Sequence, residues 1–308
     1  MPILKKLISI GLLFLIFLTA CNNSQETILP NINIEDKTIK TEVSLRIITT
    51  NKLLYNMVKD IVKDDHIVDY MMAEEESQWK FQFSQDSLKN IASKDIFIYF
   101  GAGFEPWANE FEKNVEKGNV SVINCSRGIR TLELEDPIIY EEEVIKSNPY
   151  YWLDSNNYKI VLSNIKNGIQ EKDPARRQVY EKNFEEAIKK LDEVNKELSS
   201  LIKEYKDYTF ITNTEELDYF FNKFSIKPTR LLSEDKILEM EEQIYQVSDD
   251  SKYIFVYCDD NKLAYVENIV NNSKVLKVKL ASYCPEKNCL DLWQGNYKAF
   301  KVLKNKAS

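Results

Sequence analysis

The chain has 308 residues, with 41 Lys and Arg against 49 Asp and Glu, and a formal charge of −8. At 44% hydrophobic and 12% aromatic residues it holds enough apolar mass for one or two cores, which argues against a disordered chain. The acidic balance supplies no basic stripe to neutralise phosphates, which argues against a nucleic-acid partner. The seven glycines are about a third of the ordinary share, so phosphate cradles are scarce. The single histidine, His66, excludes a His-cluster metal site and the His-Glu-x-x-His zinc helix, and leaves a Ser-His-Asp triad with no second His to spare.

Residues 1–20 read as an export signal. Lys5 and Lys6 form a basic start, and the apolar run 7–18 is short for a bilayer span. Leu18-Thr19-Ala20-Cys21 then resembles a bacterial lipobox, in which the cysteine is diacylated and becomes the new N-terminus. The alternatives are a plain secretory signal or an anchor helix. Residues 21–43 are polar and without clear period, a tether holding a domain off the membrane through the lipid on Cys21. An exported protein meets no nucleotide pool, which lowers the case for ATP or NAD chemistry.

From residue 45 strand-like and helix-like segments alternate. Strands are expected at 45–50, 67–72, 95–100 and 120–125, and helices at 51–63, 85–92, 104–116 and 156–169. Residues 173–205 carry a sustained helical stripe from Val179 to Tyr205, with Asp173 as expected N-cap and Pro174 at the first helical position. At about 1.5 Å per residue this is a rod on the order of 50 Å. A coiled coil is the plain alternative, but a second α/β series follows. Strands are expected at 208–212, 229–232, 253–257 and 275–280, and helices at 214–224, 235–247, 263–270 and 290–303. The expected fold class is therefore α/β, with two similar lobes, each a mainly parallel sheet with flanking helices, joined by one long helix. The boundaries are 44–170 for the first lobe, 171–207 for the connecting helix and 208–308 for the second. Ligands in such folds sit at the carboxyl ends of the strands.

Several stretches carry a family resemblance. Residues 45–50 (LRIITT) with Leu54 and Tyr55, residues 95–107 (DIFIYFGAGFEPW), residues 148–154 (NPYYWLD) and Asp173-Pro174 before the long stripe are similar to segments of the zinc/manganese solute-binding lipoproteins of ABC importers. The similarity runs over about residues 44–303. GAGFEP also imitates a dinucleotide fingerprint, but its third glycine is missing and no ribose-binding acid is placed.

The resemblance implies a site of three histidines and a carboxylate drawn from both lobes, suited to Zn²⁺ or Mn²⁺. Carried over position by position, the histidines become Trp79, Tyr150 and Thr214, and the stretch 277–283, where the carboxylate is expected, contains no acid. His66 lies away from these positions and reads as a surface or strand-end residue. Substitute donors are Glu74, Glu75, Glu76 and Glu215, with Glu216 beside it, or the thiols Cys284 and Cys289. Against them stand solvated loop carboxylates and a disulfide or free-thiol reading of Cys125, Cys258, Cys284 and Cys289. Asp154 reads as structural.

The aromatic replacements, with Phe81, Phe83 and Tyr151 nearby, also suit an organic solute or a filled cleft. The resemblance implies a lipid-anchored extracytoplasmic solute-binding component of an ABC importer, not an enzyme, with a divalent ion as cargo and a membrane permease as partner. The alternative is a degenerate member that binds a non-metal solute or serves as a surface protein-contact lipoprotein. An enzyme has least support, because no acid/base pair stands out.

Overall fold

The computed structural model describes residues 44–115, 119–247, 252–286 and 289–307, without the side chains of residues 76, 77, 109, 115, 289 and 305–307. The export signal, Cys21 and the tether at 21–43 lie outside the described residues.

The first half is built from β1 (Arg46–Asn51), α1 (Lys52–Val62), β2 (Ile67–Met72), α2 (Glu76–Lys80), α3 (Gln85–Ala92), β3 (Ile96–Tyr99), α4 (Ala108–Val115) and β4 (Ser121–Asn124). Its sheet is wholly parallel in the order β2-β1-β3-β4. Side chains alternate across it. Ile47, Ile96 and Ile98 face the main core, whereas Ile48, Phe97 and Tyr99 face a second cluster with Trp107 and Phe111. Burial on both faces is why these strands read as continuous apolar runs.

A segment without a sequence-based assignment then forms an antiparallel hairpin, β5 (Glu133–Tyr140) and β6 (Glu143–Ser147), followed by a 3-10 turn at Tyr151–Leu153 and α5 (Ser155–Lys172). The hairpin is rich in acids and not periodic enough to announce itself. Asp154 caps α5 by accepting from the Asn156 amide at 2.7 Å, and its carboxylate lies 3.5 Å from Lys223 Nζ, a structural role.

The long helix is α6 (Arg177–Ile202), extended by 3-10 turns at Pro174–Arg176 and Lys203–Tyr205. Twenty-six α residues at about 1.5 Å and six 3-10 residues at about 2 Å give roughly 50 Å in all. Asp173 does not cap it. Its carboxylate instead accepts from Arg176 Nε at 2.7 Å and from the Tyr180 hydroxyl at 2.6 Å. His66 shares this knot and corrects the surface reading. It stands just before β2, but its side chain is fully buried, with Nε2 at 2.7 Å from the Tyr180 hydroxyl and Nδ1 accepting from the Leu45 amide at 3.3 Å. Burial holds its pKa below the ordinary value, reinforced by the Arg176 charge.

The second half comprises β7 (Thr209–Thr212), α7 (Asp218–Lys223), β8 (Thr229–Arg230), α8 (Glu234–Gln246), β9 (Tyr253–Tyr257), a 3-10 segment at Asp260–Val266 with α9 (Glu267–Val270), β10 (Val275–Lys279) and α10 (Cys289–Ala307). Its sheet is again parallel, in the order β10-β9-β7-β8. Two expected helices start late. Residues 101–107 form a loop with Gly101, Ala102 and Gly103 at positive φ, and residues 213–217 are turn.

One hydrophobic core runs without a break through both lobes, from Ile47 and Leu54 through Phe100, Trp152 and Leu198 to Phe220, Val256 and Trp293. The rod α6 packs on α1 and α5 at one end and on α10 at the other. Among the described residues no helix is long and apolar enough to cross a membrane.

Gly168 in α5 tests this packing, because a Cβ there would overlap the Ile123 side chain of β4. Gly168→Ala is expected to lower unfolding free energy by about 1–3 kcal/mol in urea titration despite the better helix propensity of alanine.

Candidate functional site

The carboxyl ends of the two sheets meet around a single aromatic hub. The chain leaves β3 at Tyr99, passes through three successive left-handed residues and delivers Phe104 between the lobes. Glycine is required at 101, where a Cβ would press on Asn124 and Ser126, and at 103, where it would meet Ile145. Glu105 fixes the loop from below. Its buried carboxylate accepts from the Thr50 hydroxyl at 2.5 Å, the Phe100 amide at 3.0 Å and the Gly101 amide at 2.9 Å. Burial pushes its pKa up to about 7 even though these donors pull it down.

The Phe104 ring lies 6.2 Å from Trp79, 6.2 Å from Tyr150, 5.0 Å from Trp152 and 6.0 Å from Tyr283, and Phe100 stacks on Trp152 at 4.3 Å. Two of the three family-matched positions, Trp79 and Tyr150, thus touch one ring and fill the space between the sheets. Polar bonds tie the lobes across it. Trp152 Nε1 donates to the Ser282 carbonyl at 2.8 Å, the Tyr283 hydroxyl to the Ala73 carbonyl at 3.3 Å, and Asn148 Nδ2 to the Glu215 carbonyl at 2.7 Å.

Two carboxylates flank this cluster, one from each lobe. Glu75 accepts from the Tyr150 hydroxyl at 2.7 Å. Glu216 accepts from the Ser282 hydroxyl at 2.6 Å and pairs with Lys262 at 3.3 Å. Cys258, just past β9, is a free thiol. Burial pushes the Cys258 thiol well up, and the Glu216 charge adds to this. Burial likewise raises Tyr150 well above the ordinary phenol range, with Glu75, Glu216 and Cys258 all acting in the same direction. The Tyr150 phenol and the Cys258 thiol are therefore held in their protonated forms beside these two acidic side chains.

The remaining candidates divide. Thr214 is buried, and its hydroxyl accepts from the Glu216 amide at 3.2 Å, so it shapes the β7–α7 turn. Glu215 turns toward the hairpin, where its two oxygens accept from the amides of Glu135 at 2.6 Å and Asp136 at 3.2 Å. Glu74 is exposed, and Cys284 is a half-buried free thiol. The side chains of Glu76 and Cys289 lie outside the described residues. Among the described residues no group of three or more His, Cys, Asp or Glu stands ready to hold a metal ion. Sequence reasoning passed over Phe104, Glu105, Ser282 and the site position of Cys258. The signal for Cys258 was its place at the carboxyl end of the YIFVY strand.

Beside the hub, a cavity of about 870 Å³ opens in the second lobe, with Tyr150, Thr214, Glu215 and Glu216 in one wall and β5 of the hairpin over it.

The family model for ZnuA, zinc-uptake complex component A periplasmic, matches residues 47–258. Among relatives, the chain is 28% identical over 203 residues to the high-affinity zinc uptake system protein ZnuA of Bacillus subtilis (strain 168), covering 62% of this chain and 63% of that one. It is 24% identical over 285 residues to the manganese ABC transporter substrate-binding lipoprotein scaA of Streptococcus gordonii, covering 87% of each. The chain thus spans less than two thirds of the Bacillus relative's length. A mutant structure of the laminin-binding adhesin Lmb of Streptococcus agalactiae superposes with a TM-score of 0.68 at 17% identity, covering 86% of this chain and 100% of that one, a likeness of fold.

Glu105 makes the site's stability pH-dependent. Its folded pKa of about 7 lies above the ordinary 4.5, so the fold favours the protonated acid. That contribution is complete below the ordinary value and lost as pH rises through about 7. In urea titrations between about pH 5 and about pH 8, the wild-type chain is expected to lose on the order of 3 kcal/mol relative to Glu105→Gln, which has no proton to lose there.

Proposed function

The chain belongs to the ZnuA family, zinc-uptake complex component A, and from that premise we propose that it is the solute-binding component of a metal-type ABC importer. It captures a divalent ion, zinc or manganese, outside the cytoplasmic membrane and delivers it to a membrane permease. No bond is broken in this work, so it is not an enzyme. The lipobox ending at Cys21 supports a lipid anchor on the extracytoplasmic face, and the relative from Streptococcus gordonii is itself named a lipoprotein.

The observation that carries this reading is the pair Glu75 and Glu216, supplied by opposite lobes at the carboxyl ends of the two sheets, which accept from the Tyr150 and Ser282 hydroxyls. Cys258 also lies in the surroundings of the Tyr150 phenol on which both carboxylates act, and since no three such donors stand together among the described residues, the loops must draw in for it to join them. Carboxylates suit Mn²⁺, and a thiolate adds affinity for Zn²⁺. An arriving ion takes the carboxylates from Tyr150 and Ser282 and displaces the thiol proton, so binding releases protons. The continuous core and the rod α6 limit the accompanying movement to small shifts at the loops rather than wide hinge opening.

Zn²⁺ or Mn²⁺ added to chelator-treated protein is expected to raise the melting temperature by several degrees, and the rise to disappear in Glu75→Gln and in Glu216→Gln. Calorimetry in buffers of different ionisation enthalpy reads the proton release, which Cys258→Ser diminishes. A chain that retains neither metal by elemental mass spectrometry and shows no shift with either ion is not a metal carrier. Separately, Cys21→Ser is expected to move the protein from the membrane fraction to the soluble fraction and to abolish labelling by a fatty-acid analogue.

A further inference from the structure

The roughly 870 Å³ cavity beside the hub is larger than any ion needs and lies within the ~300–1,000 Å³ range of small-molecule sites. Its floor is apolar, formed by the buried Leu231 and Val266 with Ile237. Its mouth carries Leu232, Leu238 and Tyr265, three of the ten large apolar side chains left exposed among the described residues, with Leu238 at 53% and Tyr265 at 78% exposure. Concentrated on one concavity, exposed apolar groups of this size mark a binding surface.

The charge on its walls is one-sided. Five carboxylates line it against one lysine. Lys262 is paired with Glu216, and Glu215 is spent on hairpin amides, which leaves Asp136, Glu234 and Glu241 to face the cavity without a cationic partner in its lining. Glu241 accepts one neutral bond, from Asn268 at 3.2 Å. An apolar, aromatic-edged concavity under uncompensated negative charge complements a positively charged organic molecule, with Tyr265 available for a cation–π contact.

We propose that this cavity binds a small organic cation, an amine with an apolar or aromatic body. The ammonium lies toward Asp136 and Glu241, and the body lies over Leu238 and Tyr265 on the Leu231 floor. The proposal goes beyond metal capture and does not rest on it, although Tyr150 and Glu216 stand in the walls of both sites, so an occupant here touches groups that border the ion position. The volume favours a small molecule over a protein segment as occupant.

Dansylcadaverine, a fused aromatic ring with a primary ammonium on an alkyl arm, is the cationic probe, and dansylglycine is its anionic counterpart. Fluorescence titration of the chelator-treated full mature chain is expected to give saturable micromolar binding of the amine and none of the acid. Asp136→Asn with Glu241→Gln is expected to weaken amine binding about tenfold and to flatten its salt dependence. Leu238→Ser with Tyr265→Ser does so without changing the salt dependence. These side chains are exposed or half-exposed, and unchanged melting temperatures verify folding. Equal binding of both probes, binding indifferent to the four substitutions, or no binding of the amine overturns the proposal. So does capture of a basic amphipathic peptide without the amine, which assigns the surface to a protein contact. Repeating the titration with Zn²⁺ present separates the two sites. Amine binding without a metal shift sinks the importer's cargo assignment alone, and a metal shift without amine binding sinks this inference alone.

Discussion

The buried carboxylate of Glu105 is the constraint on which the arrangement between the lobes depends. A loop containing three consecutive left-handed residues is costly to hold, and two of those positions tolerate only glycine. The Thr50 hydroxyl and the Phe100 and Gly101 amides close on Glu105 and tie this loop to the end of β1. With the loop fixed, Phe104 projects between the sheets and becomes the ring against which Trp79, Tyr150, Trp152 and Tyr283 pack. Burying an acid without a cationic partner is tolerated there because these donors, with the Asn51 side-chain amide, replace its water.

The same packing determines how the lobes can move. In an open two-lobed receptor the halves have separate cores and a flexible hinge. Here a single apolar cluster crosses from one sheet to the other, and bonds such as Trp152 to the Ser282 carbonyl span the junction. The rod α6 touches helices of both lobes, so hinge opening would strip apolar surface from several contacts at once.

The chemistry of the junction follows from burial without histidine. An imidazole shell offers neutral nitrogen donors at physiological pH. Its replacement offers carboxylates whose neighbours, Tyr150 and Cys258, are held protonated by the apolar surroundings and by the carboxylates themselves. On the proposed reading, such a site admits only a cation strong enough to displace protons and hydroxyl donors.

Much of this was legible in order of residues. Strand 253–257 and helix 85–92 were readable because a buried parallel strand is an unbroken apolar run and a capped helix shows its period. Hairpin β5–β6 was not, because half its residues face water and its acids obscure alternation. His66 and Asp173 were misread because each looks ordinary beside its chain neighbours, and only folding brings them to Tyr180. The sequence by itself determined the two-lobe parallel architecture, the connecting rod and the loss of the expected imidazoles, since these depend on local periodicity and on which residues are present. Tertiary structure alone decided that Glu75 and Glu216 flank one hub and that a cavity opens beside Tyr150. Those facts depend on contacts between residues tens to more than a hundred positions apart, which no local pattern encodes.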